Sequence, residues 1–360
     1  MRIHLSRLLL LLFILSIVIN LVHARRTEHK SVVRIVGRTC VFFLVVSIFV
    51  IVILCILPAP SIRYSPHIAP ARSFENAVEM FQDYQRDEKK FLIQPQHQSI
   101  LLHHGGTTPH VLVCFHGSTM SPDQWMEFAQ PVYQQGINVL ILREPHHAIL
   151  NQQYAGDQEG TWTGNSVHLD EITPESLCQY ADVSINISAG LGRKIHVIGI
   201  SMGGILCSWV AFHRPDVAKI VMLAPAFQMH PTVLKKWQED ALVNFLSRVI
   251  VNTQGTDYVG YDNPSYNAIA AFLRLGRSIQ ETARSSRVVV KNITVIYNEN
   301  DDKVENSAIR QFIDHIDDIH PTVHVIEKSL NVPHDAIDRH WPAQKIGIVY
   351  PLLWSHLRFD

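Results

Sequence analysis

The sequence predicts an α/β domain built on an open, mostly parallel twisted sheet with helices on both faces. Two patterns carry that prediction. From residue 73 onward, short β-branched apolar runs alternate with longer helix-like segments, the order in which strand, crossover helix and strand build a parallel sheet with right-handed connections. Nearly all the runs are continuously apolar rather than alternating, as strands covered on both faces require. With 360 residues and 47% hydrophobic side chains, the chain can bury one large core, a single domain of about 290 residues once its N-terminus is set apart.

The N-terminus opens with two hydrophobic segments, residues 8–22 and 41–57, and neither contains Asp, Glu, Lys or Arg. The second is the better membrane helix, and the first is short for a full span. Val22-His23-Ala24 resembles a signal-peptidase site, but Arg25 and Arg26 follow at once and the second segment comes soon after. A retained helical hairpin is therefore favoured over a cleaved leader. The connector holds Arg25, Arg26, Lys30, Arg34 and Arg38 against Glu28. The positive-inside bias keeps this connector cytoplasmic and sends the chain after Leu57 across the membrane. The expectation is a membrane anchor over residues 1–62 with an extracytoplasmic globular part, an arrangement that suits a bacterial inner membrane. Neither segment carries a charge to suggest an ion path, so the hairpin is expected only to tether.

Residues 1–63 hold eight Lys/Arg and one acid, which leaves 23 basic and 31 acidic residues for the rest. An acidic globular part argues against a nucleic-acid partner. The five cysteines are too few for a disulfide framework, and their apolar surroundings read as buried thiols. Residues 58–72 are proline-rich and read as an extended linker. Residues 63–89 form the linker and lead-in to a domain spanning 90–360.

Within the domain, strands are expected at residues 99–103, 110–115, 137–142, 194–200, 219–224, 293–297 and 322–327, and helices at 121–135, 173–191 and 202–213. The helix at 173–191 opens Thr173-Pro174-Glu175: a capping residue, a proline at the first helical position, and an acid near the positive end of the dipole. Residues 228–290 are more than one crossover helix needs, and read as a helical insertion capping the site.

The stretch GISMGG at residues 199–204 sits where a buried strand turns into a buried helix. The apex of so sharp a turn takes a strained backbone, and the positions two before and two after it must lack a Cβ. Gly199 and Gly203 meet that need around Ser201. The first N–H groups of the new helix lie over the serine, where the helix dipole favours developing negative charge. A serine is a weak nucleophile at its normal pKa, so a base and a group to orient it are also required. Candidates follow in NENDDKVE (298–305) and NVPHDAID (331–338), each after a strand.

With these three motifs in this order, the chain resembles the α/β-hydrolase family over about residues 90–355. The resemblance implies that fold with a helical cap insertion, here preceded by N-terminal transmembrane helices. It implies Ser201 as nucleophile and His334 as base. The family places its acid three residues before a valine, so Val304 selects Asp301, with Asp302 as the alternative. Of the 21 histidines, His320, His324, His340 and His356 precede, lie within or lie beyond the last strand, and His334 alone follows it in a loop. The resemblance makes the backbone of Met202 one oxyanion donor and assigns the other to Ser118, with Thr119 as the alternative. Gly117 lets that loop approach closely, and His116 fixes it. Where many relatives carry Gly-His-Gly after the third run, this chain has Arg143-Glu144-Pro145-His146-His147, which leaves substrate preference open. No metal is expected: His103, His104, His116, His146 and His147 lie near the top of the sheet without a recognised ligand spacing.

The expected activity is cleavage of a carboxylic ester, a lipid or acylglycerol given the tether, through an acyl-enzyme and without a cofactor. The alternatives are an amide or peptide hydrolase, serine aminopeptidase-like, and a tethered binding protein that has lost turnover.

Overall fold

The computed structural model describes residues 3–25, 32–149, 166–251, 265–338 and 341–359. The chain starts with β1 (Ile3–His4), α1 (Leu5–Arg25) and α2 (Val32–Ile56), then α3 (Phe74–Glu88), β2 (Ile100–Leu102), β3 (Thr108–Phe115), α4 (Met126–Gln134) and β4 (Asn138–Ile141). It continues through α5 (Ser166–Leu169), α6 (Pro174–Leu191), β5 (Gly192–Ile200), α7 (Met202–His213) and β6 (Val217–Leu223). Next come α8 (Lys236–Leu246), β7 (Val249–Ile250) and α9 (Tyr266–Ala283), followed by β8 (Ile293–Asn298), α10 (Asn306–His315), β9 (Thr322–Ile326) and α11 (Ile346–Leu357).

All seven expected runs join one sheet in the order β2-β4-β3-β5-β6-β8-β9. Its pairs are parallel except β2 with β4, where β2 runs antiparallel at the edge. The continuous apolar pattern has a direct cause in β3. Val111, Val113 and Phe115 pack among residues of α3, α6, α7 and α9, while Leu112 and Cys114 pack on the opposite face among residues of α4 and α11. Strand side chains alternate between faces, so burial on both faces leaves no polar position.

Helix α6 starts as expected. Thr173 accepts from the Ser176 N–H and Ser176 accepts from the Thr173 N–H, each at 3.0 Å, a reciprocal cap that satisfies two orphan donors. Helix α3 was not anticipated, because it is largely polar and buries only Ala77, Phe81 and Glu88.

The proline-rich stretch 58–72 lacks regular structure, as expected, but it is pinned to the domain rather than free. Asp182 accepts from the Tyr64 hydroxyl at 2.6 Å and the His67 N–H at 2.7 Å. The same carboxylate meets buried Arg214 at 3.1 Å.

The N-terminal hairpin is docked at both of its outer ends. β1 pairs in parallel with β7. At the end of α2, Asn244 donates to the Cys55 carbonyl at 2.9 Å, and Arg248 donates to the Leu57 and Pro58 carbonyls at 3.2 and 2.6 Å. These bonds occupy carbonyls that a helix end leaves orphaned. Phe13 and Phe43 meet edge to face at 5.4 Å between α1 and α2. Among the described residues, only Gly37–Ile56 is long and apolar enough to cross a membrane; the apolar part of α1, Leu5–Ile19, is shorter. Arg26 and Lys30 of the basic connector lie outside the described residues.

The cysteine expectation needs correction. Cys114, Cys178 and Cys207 are buried free thiols, but Cys40 is exposed and Cys55 only half-buried. Both stand on α2, whose apolar surface the described chain leaves largely uncovered.

Candidate active site

Ser201 is the single residue between the end of β5 and the start of α7, with φ 56° and ψ −114°. A side-chain-bearing residue rarely adopts that backbone, so the surroundings must hold it. The Ser201 N–H donates to Leu223 O at 2.9 Å, and its carbonyl accepts from Ala226 at 3.1 Å and Ile205 at 3.2 Å. A Cβ on Gly199 would stand 2.3 Å from the Gly203 carbonyl oxygen, and one on Gly203 would stand 2.3 Å from that of Phe115. Both contacts are with backbone that cannot swing aside, which explains the two glycines flanking the serine.

The acid loop presents Asp301, not Asp302, to the histidine. Asp301 Oδ2 lies 2.8 Å from His334 Nδ1. Its Oδ1 accepts from the Lys303 and Val304 N–H groups, both at 2.9 Å. Asp302 points outward to Lys303 at 3.5 Å, exposed. Burial opposes ionisation of Asp301, but the His334 ring and the two backbone N–H groups hold its carboxyl below the usual range. His334 is the converse: burial disfavours the imidazolium, yet Asp301, with Asp335 and Asp302 adding, raises the ring above its ordinary pKa.

Ser201 and His334 line one cavity of about 390 Å³ together with Gly117, Ser118 and Thr119. Its remaining wall includes Met229 and Val233, Ile269 and Phe272 of α9, and Trp341. Sequence patterning marked an insertion there but gave no means of choosing these side chains, because their apolar spacing is that of any packed helix. Lys303, Asp335 and Asp338 also line the cavity and were not anticipated as site residues.

The loop after β3 is fixed from below. Gly117 N–H donates to Gln124 Oε1 at 2.9 Å, and His116 Nδ1 donates to the Gly117 carbonyl at 2.9 Å while its Nε2 accepts from the Glu144 N–H at 3.1 Å. His147 Nε2 lies 2.9 Å from the Ser118 carbonyl. His146 and Ala148, flanking His147, have φ of 65° and 56°. These are positions where glycine would be unstrained, and the departure from Gly-His-Gly is accommodated by strain on both sides of the histidine. His116, Glu144 and His147 are buried together, each offering a ligand-type atom within 4.8 Å of the others. The two histidines are among the ligand-type residues expected near the top of the sheet, whereas Glu144 is not. His103 and His104 are elsewhere, with His104 stacked on Tyr133.

A strained serine at a strand-to-helix elbow, flanked by enforced glycines and sharing a cavity with an acid-paired histidine, defines the class of nucleophile-elbow hydrolases. The architecture is that of the α/β-hydrolase fold. The family model described as serine aminopeptidase, S33 (Hydrolase_4) matches residues 106–260. No curated protein matches the sequence. A metagenome-derived lipolytic enzyme is similar in structure at 16% identity and TM-score 0.52, over 75% of this chain and 100% of the other. A Paleococcus ferrophilus monoacylglycerol lipase aligns at 15% identity and TM-score 0.51, over 72% and 98% of the two chains. A Saccharomyces cerevisiae monoglyceride lipase aligns at 11% identity and TM-score 0.50, over 72% and 90%. At such identities the likeness is one of fold.

Proposed function

We propose that the protein is a membrane-tethered serine hydrolase that cleaves a carboxylic ester through an acyl-enzyme. The observation that carries this is the convergence of Ser201, on its strained elbow, and His334, bonded to buried Asp301 at 2.8 Å, on one cavity. In the first step His334 takes the Ser201 hydroxyl proton as the oxygen attacks the ester carbonyl, and Asp301 stabilises the resulting imidazolium. The amides of Met202 and Ser118 are assigned to the oxyanion. Collapse expels the alcohol, which receives the proton from His334, and water then attacks the acyl-enzyme by the same route. The apolar wall of Met229, Val233, Ile269 and Phe272 suits an acyl chain, and a lipid or acylglycerol is the substrate class adopted. The lipases of similar fold agree with that choice.

Hydrolysis of a p-nitrophenyl ester series from acetate to palmitate tests the reading, with the full chain beside Ser201→Ala and His334→Ala. Turnover that depends on both residues and peaks at medium or long chains is expected. Absent ester turnover, combined with cleavage of amino-acid amides, would favour the peptidase alternative suggested by the matching family model.

The tether belongs to the same proposal. Support comes from the apolar length of Gly37–Ile56 and from the docking of β1 and the end of α2 at β7 and α8. On this reading both outer ends of the hairpin lie on the domain side of the membrane, and the positive-inside bias assigns the basic connector to the opposite, cytoplasmic side. Protease added outside spheroplasts should digest the domain; full protection would refute the extracytoplasmic placement.

A further inference from the structure

Beneath the loop that carries Gly117 and Ser118, Glu144 is fully buried and neither of its carboxylate oxygens has a hydrogen-bond partner among the described residues. Oε2 stands 3.7 Å from His147 Nε2, and Oε1 stands 3.8 Å from His116 Nδ1. An unpartnered buried carboxylate is costly unless a positive charge accompanies it.

The ring contacts distinguish the two histidines as carriers of such a charge. His116 is satisfied as a neutral ring, donating from Nδ1 to the Gly117 carbonyl and accepting at Nε2 from the Glu144 N–H. His147 is different. Its Nδ1 faces the Pro145 carbonyl at 3.0 Å and its Nε2 faces the Ser118 carbonyl at 2.9 Å. A carbonyl oxygen only accepts, so a neutral ring would set a nitrogen lone pair against an oxygen lone pair on one side.

We propose that Glu144 holds His147 as an imidazolium that donates from both ring nitrogens, to Pro145 and Ser118, and thereby fixes and polarises the peptide groups of the oxyanion loop. A hydrogen bond to a peptide carbonyl strengthens the N–H of the same peptide unit as a donor. His116 acts on the unit whose N–H belongs to Ser118, the assigned donor; His147 acts on the next unit, whose N–H belongs to Thr119, and reaches the Ser118 amide by fixing the position of that residue. Glu144 and His147 are thus positioning residues, acting through the loop rather than touching substrate.

Burial by itself pushes the two groups the other way, His147 down to about 4 and Glu144 well up, while the Pro145 and Ser118 bonds favour the charged ring. A pair sharing one proton carries no net charge either way, but the charge-separated form pays the desolvation of both ions; the two carbonyl contacts and the attraction across 3.7 Å are what oppose that cost. The other charged or titratable neighbours are already engaged. Arg143 pairs with Glu88 at 3.0 Å and donates to the His147 carbonyl at 2.6 Å. His146 lies 3.6 Å from Glu171, and the Tyr84 and Tyr180 hydroxyls donate to the carbonyls of Arg143 and Leu142. The same three side chains have the donor set of a His2Glu metal site, but the two facing nitrogens are turned onto carbonyls.

This inference rests on Ser201 being the nucleophile for its kinetic consequence, but not for its spectroscopic one. The test is nitrogen NMR of the ¹⁵N-histidine-labelled full chain in detergent, with His147 assigned by the signal lost in His147→Gln, beside ester kinetics of Glu144→Gln, Glu144→Asp and Glu144→Leu. The expected result is two protonated ring nitrogens on His147 at neutral pH and one in Glu144→Gln. The kinetic result expected is a kcat about tenfold lower with KM nearly unchanged, an effect of one hydrogen bond's strength, largely restored in Glu144→Asp. A singly protonated His147 in the unaltered protein overturns the proposal, as does an unchanged kcat in both Glu144→Gln and Glu144→Leu, or a stoichiometric metal that Glu144→Gln releases. If no ester is turned over at all, the proposed function fails while the ring-proton count still decides this inference.

Discussion

Gly203→Ala places a methyl group where the elbow meets the end of β3. The added Cβ would lie 2.3 Å from Phe115 O, 2.7 Å from Phe115 C and 2.9 Å from His116 O. All three atoms are backbone at the end of β3, so no rotamer change relieves the clash. Reaching ordinary contact requires about 1 Å of separation between α7 and that strand end, a displacement that would move Ser201 relative to Gly117 and Ser118. Overpacking of a tight site costs about 1–3 kcal/mol, and in a domain of this size each kcal/mol lowers Tm by about 2–4 °C. A misplacement of about 1 Å between reacting groups lowers kcat by about 100-fold. The assay is a thermal melt together with kcat on the best p-nitrophenyl ester. Gly347→Ala serves as the control, because a Cβ there meets nothing within 4 Å, and it should leave Tm and kcat unchanged or raise Tm slightly. A Gly203→Ala protein with unaltered Tm and kcat would refute the claim that backbone proximity dictates the glycine.

Ser201→Gly should abolish turnover yet raise stability by about 1 kcal/mol, because it relieves a side-chain-bearing residue of φ 56°; urea titration reads this directly. In the proposed mechanism His334 acts as base only when neutral, and its pKa is raised by Asp301, so the acid limb of kcat/KM should lie above the ordinary imidazole value of about 6.5. Asp301→Asn should shift that limb downward and lower kcat by about 10⁴-fold. Because the folded Asp301 pKa is depressed, its share of stability is present above the unfolded value of about 3.9 and lost as pH falls through the folded one. The Asp301→Asn protein should accordingly lose less stability between pH 5 and about 2. Arg214→Ala should cost about 3–5 kcal/mol, because it strands the buried Asp182 carboxylate, as measured by the denaturation midpoint.

The β-branched runs and the order of strand and helix were enough to define the sheet, since a strand covered on both faces has no polar position to disguise it. GISMGG likewise announced its own backbone strain, because only glycine fits where Gly199 and Gly203 stand. The choice between Asp301 and Asp302 became geometric only in the fold, where Lys303 and Val304 turn their N–H groups toward Asp301. Helix α3 escaped notice because its buried stripe is Ala77, Phe81 and a glutamate.

The sequence by itself determined the parallel sheet and the elbow, because each depends on contacts between near neighbours or on a periodicity, while the serine, acid and histidine were marked by resemblance to a family with that chain order. Only the tertiary structure decided which cap residues wall the cavity, how Asn244 and Arg248 secure the end of α2, and that Glu144 lies between two histidines under the loop after β3. Those arrangements join residues from separate elements, and no local pattern in the chain records which side chains folding will bury together.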